Sequence, residues 1–147
     1  MSKRARTDIY PDTDTFICYN ANPKNRITGD CTFRAISTAM EMPWNEVVME
    51  MAELSCDTGY AINDKKGIER YLTKKGWVKM KQPRRRDNTK YTGKEFIEEI
   101  VREQYYDEPI IVSIGGHHLT CVCANHFMDI WDCTDKSVGN YWIKRDA

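Results

Sequence analysis

The stretch PIIVSIGGHHLTCVCANHFMDIWD (109–132) decides the fold class. It reads as three short runs of β-branched, aromatic and sulfur side chains, at 109–116, 118–124 and 127–132. Turn formers separate the runs, first Gly-Gly and then the Asn of "ANHF". "NYWIKR" (140–145) adds a further strand. Upstream the apolar spacing changes to that of helices. Phe33, Ala35, Ile36, Ala39 and Met40 mark one helix from Cys31 to Met40, with Thr28 or Asp30 as its cap. Pro43 opens a second helix, whose apolar face is Trp44, Val47, Val48, Met51 and Leu54. A third starts at Asn63 or Asp64, turns Ile68, Tyr71 and Leu72 inward, and stops at Gly76. "WVKMK" (77–81) alternates as a strand, and "QPRRRDNTKY" (82–91) reads as a solvated loop. "TGKE" (92–95) is a capping box ahead of Phe96, Ile97, Ile100 and Val101. Helices first and strands afterwards predict an α+β fold, with N-terminal helices packed on a mostly antiparallel C-terminal sheet.

The 147 residues suit one domain at 16–147, preceded by a polar, loose segment at 1–15. The 22 basic and 22 acidic residues cancel, which argues against duplex nucleic acid as a partner. No apolar run approaches the ~18 residues that a membrane span needs. "MSKRARTDIY" (1–10) is basic without an apolar core, so it is not a secretory signal. The six cysteines are therefore expected as free thiols in the cytoplasm.

Cys31 sits where a turn meets a helix, in "ITGDCTFRAIS" (27–37). A thiol attacks as the thiolate, and free N–H groups at a helix start favour that anion. Arg34 adds positive charge one turn on, and Asp30 opposes it. A histidine base is then required. Of His117, His118 and His126, the last lies in a hairpin turn. His118 begins a strand, from which its ring can project toward a helix start, and His117 is the alternative. The base needs an orienting carboxylate. With the turn centred on Asn125–His126, His118 faces residue 133 or 134, and Asp132 lies within a residue or two of that level. Asp129 would be roughly 13–17 Å away along the strand at ~3.3 Å per residue. The sequence thus favours Asp132, with a bulge or three-residue turn to align the faces, and leaves Asp129 a structural role. Zinc is the competing reading of Cys121, Cys123, Cys133 and the histidines. Alternation opposes it, because Cys121 and Cys123 fall on one face and His118 on the other. The CxxC spacing is also absent, so no metal and no cofactor are expected.

These residues resemble the papain-like cysteine peptidase superfamily, and more closely a branch of small papain-fold proteins of bacteria and their phages. That branch carries GDC-x-x-RAIS early and SGHLTAV…DTWD late. The matching stretches are "GDCTFRAIS" (29–37) and "IGGHHLTCVCANHFMDIWD" (114–132), and "VGNYWIK" (138–144) fits as well. The resemblance implies a papain-like fold with Cys31 as nucleophile, His118 as base and Asp132 as orienting group. It also implies an oxyanion-hole amide a few residues before the cysteine, for which Asn25 is the candidate and Asn22 the alternative. Ovarian-tumour-type deubiquitinases, with DG-x-C-x-FRA, are similar at "TGDCTFRA" (28–35). Here Thr28 replaces their Asp, and Leu119 stands where an aromatic follows their histidine.

The function expected is thiol-dependent hydrolysis of a peptide, isopeptide or related amide bond by a monomer acting on a protein or peptide. The competing expectation is a non-catalytic papain-fold protein that binds and inhibits a host protein, with the arginine loop as a contact surface.

Overall fold

The computed structural model describes residues 5–145. Residues 1–4 of the expected loose segment lie outside the described residues. The rest of that segment is placed: α1 (Arg6–Ile9) is held by a 2.6 Å hydrogen bond from the Arg6 guanidinium to the Ile130 carbonyl.

Six strands form one mixed sheet in the order β1-β5-β4-β3-β6-β2. They are β1 (Phe16–Cys18), β2 (Trp77–Met80), β3 (Ile110–Ile114), β4 (His118–Cys123), β5 (His126–Asp129) and β6 (Val138–Lys144). All neighbours are antiparallel except β1 and β5, which run parallel. The α+β expectation holds, but both edge strands, β1 and β2, come from the part of the chain before residue 81. β1 went unread in the sequence because three residues carry no period.

Helices cover both faces. On one, α2 (Cys31–Met40), α3 (Trp44–Thr58) and α4 (Lys65–Lys74) bury Ile36, Val47, Met51, Tyr71 and Leu72 against Ile111, Cys121 and Trp142. On the other, α5 (Gly93–Phe96) runs through a π-turn at Ile97–Val101 into α6 (Arg102–Gln104). It buries Phe96, Ile97 and Val101 against Ile110, Val112, Ile114 and Phe127. A strand covered on both sides is apolar nearly throughout, which is why β3 reads IIVSI, with Ser113 alone polar where the strand reaches the cleft. No helix among the described residues is long and apolar enough to cross a membrane.

The predicted helix starts hold with one change. Asp64 caps α4 by accepting from Lys66 N at 2.9 Å, and the Thr92–Glu95 capping box is formed in both directions. At α2, Asp30 occupies the cap position without capping, because its carboxylate is used elsewhere. The arginine loop is less free than its composition suggests. Arg84 and Lys90 bridge as antiparallel residues, and Arg85 binds Glu95 and Glu99 while lying over the Tyr91 ring.

The capping box sets where the helix on the second face begins. Thr92→Ala is expected to cost about 1 kcal/mol and lower Tm by about 2–4 °C, as followed by thermal denaturation.

Candidate active site

α2 packs along β4, so the first residue of the helix meets the first residue of the strand. Cys31 is half-buried there, and its thiol lies beside the His118 ring and the Leu119 backbone N–H, both of which favour the thiolate. His118 Nε2 lies 2.6 Å from Asp129 Oδ2. An ionised carboxylate only accepts, so Nε2 carries a proton toward Asp129 and Nδ1 is left for the thiol. Trp131 lies against the imidazole at 4.9 Å between ring centroids and shelters it from water.

Behind this line stands a buried ionic chain. Arg34 Nη1 donates to Asp129 Oδ1 at 2.7 Å, and Arg34 Nε donates to Asp30 Oδ1 at 2.8 Å. Asp30 Oδ2 accepts from Asn22 Nδ2 at 3.0 Å and from Trp44 Nε1 at 3.1 Å. Ile130 N adds a 2.7 Å bond to Asp129 Oδ1. The exposures of Asp30, Arg34 and Asp129 are 4%, 7% and 1%, so none of the three charges is solvated. The Thr120 hydroxyl is buried beside Asp129 and Cys133 without a well-formed hydrogen bond.

The electrostatics follow from these contacts. Burial alone would lower the His118 pKa, but the hydrogen bond to Asp129, the neighbouring Cys31 thiol and the charges of both push it up to about 9. Burial opposes the Cys31 thiolate too. The neighbouring His118 ring and Leu119 N–H, with the charges of His118 and Arg34, outweigh it and hold the thiol below its usual range. Burial likewise opposes the Asp129 carboxylate, and His118, Thr120 and Arg34 hold its pKa down. The arrangement favours a thiolate–imidazolium pair, whose proton steps belong to the two groups jointly. The other thiols differ. Burial pushes Cys18 and Cys133 up, and the proximity of Cys121 and Cys123 raises the first and lowers the second.

Two expected site residues fall elsewhere. Asp132 does not orient His118: β5 ends at Asp129, and Asp132 Oδ1 instead accepts from Thr134 N at 3.0 Å and Thr134 Oγ1 at 2.6 Å. The turn is the cause. It is the two-residue Ala124–Asn125 turn, both at positive φ (49° and 65°), with Cys123 opposite His126 and Val122 opposite Phe127. Extending that register puts Asp129 opposite Thr120, diagonal to His118. A left-handed alanine costs about 1–2 kcal/mol, so sequence rules place the turn later. Asn25 is not an oxyanion donor either. It is an exposed turn residue at φ 53°, and its Oδ1 accepts from Asn20 Nδ2 at 3.3 Å. Asn22 spends its amide on Asp30 and its carbonyl on Lys24 N at 2.9 Å. The free N–H groups near the thiol belong to the first turn of α2, which has no side-chain cap. His117 is exposed at the rim, and His126 Nδ1 bonds the Ala124 carbonyl in the hairpin.

Among the described residues, one group of possible metal ligands lies together: His118, Asp129 and Cys133, with ligand atoms within 4.8 Å of one another. Two tetrahedral zinc ligands at ~2.0–2.1 Å would stand about 3.3 Å apart. The 2.6 Å between Nε2 and Oδ2 is that of a direct hydrogen bond, and Cys133 is a buried neutral thiol. The donor set does not fit zinc.

The thiol opens onto a cleft of about 310 Å³, walled by Cys31, His118, Ser113, Trp142 and Lys65 among others. No protein-family model, curated protein or solved structure matches the chain.

Removing Arg34 leaves two buried carboxylates facing each other. Arg34→Met is expected to destabilise the fold by about 3–5 kcal/mol, measured as the shift in denaturation free energy.

Proposed function

We propose that this protein is a papain-like cysteine hydrolase that cleaves a peptide, isopeptide or related amide bond. One observation carries the reading: Cys31 stands beside His118, which is hydrogen-bonded to Asp129, at a helix start with open N–H groups and at the mouth of a cleft.

The chemistry runs as follows. The Cys31 thiol proton rests on His118 Nδ1, and the thiolate attacks the carbonyl carbon to form a C–S bond. The carbonyl oxygen becomes an oxyanion, stabilised by the Cys31 backbone N–H at the positive end of α2. The oxyanion collapses, the C–N bond breaks, and the imidazolium gives its proton to the departing nitrogen. A thioester remains. His118, now neutral, takes a proton from water, which attacks the thioester carbonyl and releases the acid and the thiol. Asp129 holds the ring and stabilises its charged form throughout.

The working pair exists above the depressed thiol pKa and below the raised imidazole pKa. Acyl-transfer rate is therefore expected to rise with pH below the ordinary thiol range and to fall through about 9, as the leaving-group acid is lost.

Iodoacetamide alkylation, followed by peptide mass spectrometry at about pH 6, tests the pair directly. Cys31 is expected to react faster than the other five thiols. His118→Ala should abolish that excess, and Asp129→Ala should reduce it about tenfold or more, while Asp132→Ala leaves it intact. Equal, slow alkylation of all six thiols in the wild-type protein would remove the proposal.

A further inference from the structure

The cleft beside Cys31 is a groove with a direction. Its floor and walls come from β4 (His118, Leu119), β3 (Ser113), β6 (Asn140, Trp142) and β2 (Lys79). These four strands are adjacent in the sheet, in that order. Three inter-strand steps of about 4.8 Å carry the groove roughly 14 Å from the thiol, the length of about four extended residues at ~3.3 Å each. α4 forms the opposite wall through Lys65, Ile68 and Glu69, which share a helical face at spacings of three and four.

The two ends differ in chemistry. Leu119 next to His118, Trp142 on the floor and Ile68 on the α4 wall give the groove its apolar surface. The three Lys and Glu side chains of the lining all belong to α4 and the edge strand β2, which pack together, and two of the three are cationic. Lys79 is paired with Glu69 at 2.6 Å, which leaves Lys65 as the uncompensated charge; it is exposed and has no ion-pair partner among the described residues. The chain as a whole is neutral, so this positive end is a local feature and not the overflow of a basic protein. Ser113 and Asn140 add polar atoms midway, suited to the main chain of an extended segment.

We infer that the groove takes an extended polypeptide segment with an apolar residue next to the bond at Cys31 and an acidic side chain three or four residues away, held by Lys65. The inference rests on the proposed thiol chemistry only in locating the reacting bond.

Protection of Cys31 from iodoacetamide tests it without needing turnover. The probes are blocked six-residue peptides carrying one leucine and one aspartate at varied separation, with asparagine and lysine counterparts. At millimolar peptide, aspartate placed three or four residues from leucine should slow Cys31 alkylation about fivefold more than lysine at the same place, the size of one partly screened charge contact. Lys65→Glu should reverse that order and Lys65→Met should erase it. If wild-type Cys31 outpaces the other thiols but the three peptide series protect equally or not at all, the groove assignment is overturned and the thiol chemistry stands. If Cys31 shows no excess reactivity without peptide, the hydrolase reading fails first and the groove assignment with it.

Discussion

A single guanidinium, that of Arg34, is the charge on which the interior depends. It is 7% exposed and lies between two carboxylates that are more buried still, Asp30 and Asp129. Two anions at that depth repel strongly in a medium of low polarizability. The planar fork of arginine meets one carboxylate with Nε and the other with Nη1, which an ammonium cannot reproduce. Asp30 belongs to the turn before α2 and Asp129 to the end of β5, so the ionic chain ties helix to sheet at the point where the thiol emerges. The residue beside Cys31 is thereby neutralised, and Asp30 no longer opposes the thiolate.

The rest of the fold holds this junction still. The sheet is covered on both faces, and its central strands β3 and β4 contribute apolar residues to both layers. α2 can lie along β4 only with Ala35, Ile36 and Ala39 against Leu119 and Cys121, and that seating brings Cys31 to His118. Trp131 then lies against the imidazole and helps to shelter its hydrogen bond with Asp129 from water. The same seating leaves the ends of four strands open beside α4, and the groove is that opening.

Much of this was legible from residue spacing. Helical periods at Phe33–Met40 and Trp44–Leu54, the capping box at Thr92–Glu95 and the β-branched run at 110–114 each announced an element that the structure contains. Cys31 at a helix start and His118 at a strand start were legible for the same reason: local pattern gives element ends, and element ends are where side chains are free to meet. The parallel edge strand Phe16–Cys18 was not legible, since its pairing with Phe127–Asp129 lies in its partner and not in its own three residues. Trp131 over the imidazole and Asn22 on Asp30 also left no signal, because both are contacts between segments distant in the chain.

The sequence by itself determined the α+β class, the order of most elements and the two residues that form the thiol–imidazole pair. Only the tertiary structure decided which carboxylate completes the line. That choice hangs on two backbone angles, at Ala124 and Asn125. Shifting the turn changes which residues of β4 and β5 stand abreast, and a pattern of period two cannot tell one even shift from another. The positive φ at Ala124 is a local cost that no propensity favours. It is met because, in the folded chain, Asp129 reaches both the imidazole of His118 and the guanidinium of Arg34.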